Sequence, residues 1–193
     1  MTKGIKRRIL VLQVGLIGIF AFCAAFLFWG SHFVGGQVHD QLAQQQIFFP
    51  AADSKGFTAA EFPTLQQYGG QQLVTGEQAR AYADDYINVH LQSVAGGQTY
   101  AQVSAKALAN PTNTTLQSQR TSLFMGETLR GLLLNAYGWS QVGMYAFWAA
   151  VGLAVASFVI FCAFLFELFV APRYEEQKAP RPKIVVGAPV PTA

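Results

Sequence analysis

Charge is scarce in this chain. Its 193 residues include 13 Lys and Arg and 10 Asp and Glu, 12% in all, which is about half the share usual in a soluble domain. A freely soluble globular fold is therefore not expected. Cysteine is scarcer still. Cys23 and Cys162 are the only two, both inside apolar runs, where small packing residues are expected rather than a disulfide or a metal pair. There are three histidines, and H-E-x-x-H, G-x-S-x-G and a Gly-rich loop ending in Lys-Ser or Lys-Thr are all missing. The zincin, α/β-hydrolase and nucleotide-binding signatures are thereby excluded, and no catalytic residue, metal or cofactor is expected.

What the chain has is apolar length. "ILVLQVGLIGIFAFCAAFLFWG" (9–30) carries no charge, and "MYAFWAAVGLAVASFVIFCAFLFELFV" (144–170) carries only Glu167. Each exceeds the roughly 20 residues needed to cross a bilayer, so two transmembrane helices are expected. The first is longer than the apolar core of a signal peptide and lacks an Ala-x-Ala site after it. Bulky Phe22 before Cys23 also rules against a lipoprotein signal, so an uncleaved anchor is expected. Lys3, Lys6, Arg7 and Arg8 precede the first run, and Arg173, Lys178, Arg181 and Lys183 follow the second. The basic residues at both ends predict cytoplasmic termini and an extracytoplasmic loop. The formal net charge of +3 is thus a topology signal, and no nucleic-acid partner is expected. Trp29, Phe33, Tyr137, Trp139, Tyr145 and Trp148 supply aromatic belts at the outer interface.

The expected organisation is a basic cytoplasmic N-terminus (1–8), a first span (9–30), an outer domain (31–143), a second span (144–170) and a disordered cytoplasmic tail (171–193) rich in Pro and Ala. The fold class is mostly α, a transmembrane helical hairpin flanking an α-helical extracytoplasmic domain in a bacterial plasma membrane. Within the outer stretch, a break is expected at Gly35–Gly36, followed by a helical run that ends before Pro50. Thr75 and Gln78 have capping-box spacing at the start of a helix that Gly96–Gly97 ends, and Thr99 caps a second short helix. A longer helix is expected from Asn113 to Tyr137, with Gly138 as its stop.

Asp84, Asp85 and His90 look at first like an acid/base or metal constellation. On a helix, however, adjacent aspartates point roughly 100° apart. The simpler expectation is a solvated face, where loss of either charge changes stability by no more than about 0.5 kcal/mol. His32 and the pair His39–Asp40 sit near the membrane edge, where an interfacial polar role competes with metal or haem ligation. Gly15, Gly18, Ala21 and Ala25 recur at three- and four-residue steps along the first span, as do Ala149, Gly152 and Ala156, with Ala163 seven further on. Such stripes permit close helix packing in lipid. Glu167, near the cytoplasmic end, is expected to reach headgroups or to pair with Arg7 or Arg8.

"LFMGETLRGLLLNAYGW" (123–139) has more apolar residues than one helical stripe can hold. Glu127 and Arg130, spaced i,i+3, can satisfy each other on its polar strip. Leu123, Phe124, Leu129, Leu132, Leu133 and Leu134 are therefore either the core helix of the outer domain or a surface for lipid headgroups, a membrane-protein partner or a second copy.

This stretch, with "YGGQQLVTGEQARAYADDYINVHL" and "GGQTYAQVSAKALANP", resembles a family of uncharacterised actinobacterial two-span membrane proteins over residues 8–170. The resemblance implies a plasma-membrane location and a helical outer domain, and it adds no catalytic residue. Some similar chains carry the label of aromatic ring-opening dioxygenase, a chemistry that needs a facial set of His and carboxylate ligands for which the sequence shows no pattern. The function expected is that of a non-catalytic accessory or scaffold subunit of a membrane or envelope complex. The alternative is a small membrane enzyme or metal/haem protein using His32, His39 or His90.

Overall fold

The computed structural model describes residues 3–171. The expected tail, residues 172–193, lies outside them. Helices account for most of the described residues, and among these there is no strand, only two isolated bridges. Five α-helices are formed: α1 (Lys3–Gln44), α2 (Gly76–Ala81), α3 (Asn88–Val94), α4 (Tyr100–Ala109) and α5 (Thr114–Leu165). A π-helical turn (Tyr82–Ile87) joins α2 to α3, and a second (Phe166–Val170) follows α5. α1 and α5 are both long and apolar enough to cross a membrane.

Both long helices run through the glycines expected to stop them, Gly35–Gly36 and Gly138, and through Gly126 and Gly131, expected only to weaken α5 locally. α1 is unbroken for 42 residues across Gly35–Gly36, and α5 is unbroken for 52 residues across Gly126, Gly131 and Gly138. Gly138 does not take the left-handed backbone of a helix-ending glycine. Each interior glycine costs roughly 1 kcal/mol relative to Ala. The flanking apolar positions outweigh that cost: Val38 and Leu42 beyond the α1 pair, and Leu133 and Ala150 around Gly138, are all buried. The expected helix from Asn113 to Tyr137 and the expected span at 144–170 are therefore parts of a single helix.

The described residues divide into two compact units, 3–24 with 151–171, and Ala25–Ala150. In the first, the N-terminal part of α1 lies antiparallel to the C-terminal part of α5. Ser157, itself buried, donates its hydroxyl to the Ile17 carbonyl (3.3 Å). A buried hydroxyl that finds a backbone acceptor on its neighbour fixes the register of the pair.

The second unit has a hydrophobic core of Leu42, Phe49, Phe57, Leu65, Leu73, Val103, Leu123 and Leu133. The segment between α1 and α2 is irregular but well tied. Phe49 N–H donates to Gln71 O and Leu73 N–H to Ile47 O (2.9 and 2.8 Å). The Gln66 amide donates to the carbonyls of Phe57 and Phe62 and accepts from Asp53 N–H. One side chain thus supplies hydrogen bonds that a regular element would have supplied from its backbone. Phe49 lies between Tyr68 and Tyr82, with both ring centroids at 5.1 Å, and Phe57 meets Phe62 and Tyr86 at 5.6 Å.

Both capping boxes form, Thr75 with Gln78 and Thr99 with Gln102. α3 ends at Gly96 and Gly97, with φ of +60° and +78°, which a side chain with a Cβ adopts at a cost. Gly126 is where α3 meets α5: the Leu91 side chain occupies the space a Cβ would need. A glycine inside a long helix is here a packing device rather than a break.

Candidate functional site

The acid-rich stretch around Asp84 is shaped by the π-helical turn. Asn88 N–H donates to Ala83 O, five residues back, so one extra residue is accommodated in the turn. Asp84 Oδ1 lies 3.0 Å from the Arg130 guanidinium on α5, which also meets Glu127 at 3.3 Å. The spacing of Glu127 and Arg130 anticipates the second contact but not the first. Burial of Arg130 works against its charge, and the carboxylates of Asp84 and Glu127 outweigh it, holding its pKa above the ordinary value.

Asp85 is exposed. His90 points elsewhere: its Nδ1 is 2.9 Å from Tyr86 O, and its ring stacks on Phe62 at 5.9 Å with planes 4° apart. The aspartates and the histidine thus do not converge on one point. Tyr82, between Phe49 and Tyr86, has its pKa raised by burial first and by Tyr86 second.

The expectation of two equivalent surface aspartates is corrected by this geometry. Asp84 is the tertiary partner of a half-buried arginine 46 residues away in sequence. Asp84→Asn is expected to cost about 1 kcal/mol, the value of a charge-assisted bond discounted for partial exposure. Asp85→Asn should stay within about 0.5 kcal/mol. A double-mutant cycle of Asp84→Asn with Arg130→Gln, read by the denaturant midpoint of the outer unit, should show coupling of about 1 kcal/mol; additivity would contradict the pair.

The six apolar candidates on α5 separate into two sides. Leu123 and Leu133 are 2% and 1% exposed and belong to the core. Leu129 and Leu134 lie against it, partly covered. Phe124 and Leu132 face outward, Leu132 at 63% exposure. With Thr128, Asn135, Trp139 and Val142, all exposed, they make a stripe along α5, since these positions follow one another at steps of three and four residues. Phe124 also touches the Tyr100 ring of α4, at 5.8 Å.

Beside this stripe, α1 and α5 leave a groove of about 410 Å³. Its floor is apolar, with Val34, Val38, Leu42 and Ala136. Its sides carry Gln37, Gln41, Gln45 and Asn135, and Phe33, Leu132 and Trp139 stand at its edges. The amide row follows from i,i+4 spacing of Gln37 and Gln41 on α1 and of Gln45 just past its end, a regularity legible in "GGQVHDQLAQQ" only once the helix is known to continue through the glycines.

The small-residue stripes do not form the helix contact in the first unit. Along the apolar part of α1 the less exposed positions are Ile9, Leu10, Gln13, Leu16, Ile17, Phe20, Cys23 and Ala24, and on α5 they are Leu153, Ala156, Ser157, Ile160, Phe164 and Leu165, with Ala24 and Ser157 buried. Gly15, Gly18, Ala21 and Gly152 are exposed, and Ala156 is half-buried. Ala21 borders the shallow hollow beside Ala24 and Ser157. Ala25 and Ala149, in the second unit, are exposed as well, next to buried Ala24 and Ala150. The true seam runs about one residue to the side, and both stripes share the same spacing. Ser157 distinguishes them, because its hydroxyl bonds the Ile17 carbonyl of the neighbouring helix.

Glu167 is half-buried in the second π-helical turn and forms no ion pair with Arg7 or Arg8 among the described residues. Cys23 and Cys162 are both free. His32 lies against the Phe28 ring, and His39 Nδ1 is 3.2 Å from Asp40. No three His, Cys, Asp or Glu side chains among the described residues come together as metal ligands would. Compared with protein-family models, with curated proteins and with solved structures, the chain matches none.

Proposed function

We propose that this chain is a two-pass plasma-membrane protein with both termini cytoplasmic, serving as a non-catalytic accessory or scaffold subunit whose outer unit holds a partner protein. The observation that carries this reading is the exposed apolar stripe on α5. Phe124 and Leu132 lie 20 and 12 residues before the expected span at 144, roughly 30 and 18 Å along the helix. A bilayer that covers residues 144–170 leaves them in water, and with Trp139 and Val142 they give one exposed helix face large apolar side chains, interrupted by Thr128 and Asn135, that suit a partner surface. The basic residues at both chain ends support the orientation, and the resemblance to two-span membrane proteins supports the location.

Two measurements test the reading. Reporter fusions after Lys6, Lys106 and Arg181 should read inside, outside and inside, and an exported amino terminus would overturn the orientation. In mild detergent, a partner should co-purify in fixed stoichiometry with the native chain and be lost from Phe124→Asp. A second copy held by the same face would appear as a cross-linked dimer lost from the same variant. Undiminished association in that variant would remove α5 as the docking face.

A further inference from the structure

Building on the docking face proposed above, we infer that its occupant is a second copy of this chain, the two α5 helices lying side by side in parallel.

The spacing along α5 suits a helix as the occupant. Positions from 124 to 163 on its outward side recur at alternating steps of four and three residues, the heptad spacing by which two helices wrap around each other. Thr128, Asn135, Val142, Ala149, Ala156 and Ala163 take the a positions of this repeat. Phe124, Gly131, Gly138, Tyr145, Gly152 and Val159 take the d positions. All are exposed except Ala156, which is half-buried. Leu123 and Leu133, which belong to the core, fall at other positions of the repeat.

The glycines on this face are an independent sign. A Cβ on Gly131, Gly138 or Gly152 would meet nothing within 4 Å, whereas one on Gly126 would strike Leu91. Packing among the described residues thus gives no reason for glycine at these d positions, where it weakens the helix relative to alanine. Glycine there lets the backbone of a second helix approach closely.

Charge and register identify that helix. Copies inserted into one membrane with one topology carry α5 in parallel, and their two-fold axis sets each seam residue against its own equivalent. A charge on the face would then meet itself at a cost. Among the a and d positions and the flanking e and g positions from 124 to 163, Glu127 alone is charged, and Arg130 meets it at 3.3 Å. Asn135 is the one amide at an a position, and its side chain makes no hydrogen bond among the described residues. An amide carries both donor and acceptor, so two Asn135 side chains satisfy each other. A lone Asn at an a position fixes the register of a parallel pair, and β-branched residues such as Thr128 and Val142 at the adjacent a positions favour two strands. The seam is about 58 Å long, and a strip about 10 Å wide along it buries roughly 1,200 Å² over both copies, the lower end of what stable interfaces bury.

The experiment uses the full chain carrying Cys23→Ala and Cys162→Ala, in phosphatidylcholine vesicles oxidised with copper phenanthroline. Val142→Cys and Val159→Cys, on the seam, should form disulfide-linked dimers. Met144→Cys and Phe158→Cys, exposed but off the seam, should not. Gly138→Leu fills space that the chain itself leaves open, so the outer unit should stay protease-resistant. The same change should lower the dimer fraction at a fixed protein-to-lipid ratio by about tenfold or more. Equal cross-linking on and off the seam, or an unchanged dimer fraction in Gly138→Leu, overturns the pairing. Dimers trapped instead through Ile19→Cys, exposed on α1, would place the copies on another face and overturn it as well. A monomeric native chain that still loses a different partner in Phe124→Asp rejects the second copy and leaves the docking face standing.

Discussion

Leu133→Asp is expected to unfold the outer unit, while Leu132→Asp leaves it folded and removes only what docks on it. The two leucines are neighbours in the chain, yet Leu133 is 1% exposed and Leu132 is 63% exposed. An aspartate at 133 must either bury a charge in the hydrophobic core of the outer unit or take up a proton. Together with the lost leucine packing, this should cost more than about 4 kcal/mol. An aspartate at 132 meets water and should change stability by no more than about 0.5 kcal/mol. Limited proteolysis in detergent reads the first effect, as rapid cleavage of residues 45–113 in Leu133→Asp alone. Co-purification reads the second. Equal protease resistance of both variants would contradict the burial, and an unchanged partner yield in Leu132→Asp would contradict the docking face.

The next largest effect is expected at Phe49. It is 2% exposed and packed between Tyr68 and Tyr82, and its backbone N–H is bonded to Gln71 O. Phe49→Ala removes the ring that joins the irregular segment to the start of the π-helical turn. The loss should be about 3–5 kcal/mol, the transfer term plus the cavity that remains. Phe48→Ala is the control: Phe48 is 55% exposed and should shift the denaturant midpoint of the outer unit little, within about 0.5 kcal/mol. Similar shifts for both would mean that the segment between α1 and α2 is not held by its aromatic core. Loss of Phe49 should also loosen the Asp84–Arg130 contact, because Tyr82 opens the turn that carries Asp84.

The class of element and the two long apolar helices are legible in the residues alone. Length without charge is a one-dimensional property, and a run that covers 30 Å of hydrocarbon needs no tertiary partner to be recognised. The same is true of the caps at Thr75 and Thr99 and the ending at Gly96–Gly97, since each depends on residues within four positions of one another. The glycines at 35, 36 and 138 read as breaks because local propensity was the only term visible. The burial of Val38, Leu42 and Leu133 that outweighs them comes from residues far away in the chain.

Which of two identical neighbours faces inward is set by packing against distant parts of the chain. Leu132 and Leu133, or Phe48 and Phe49, present the same chemistry to any reading of composition or period. The same holds for the seam through Ala24 and Ser157, which shares its spacing with the exposed stripe through Gly15 and Gly18. A spacing of three and four residues fixes how a helix surface repeats but not the angle at which it meets its neighbour. That angle is set by what the neighbour supplies: the Ile17 carbonyl for Ser157, the Leu91 side chain for Gly126, and the Arg130 guanidinium for Asp84.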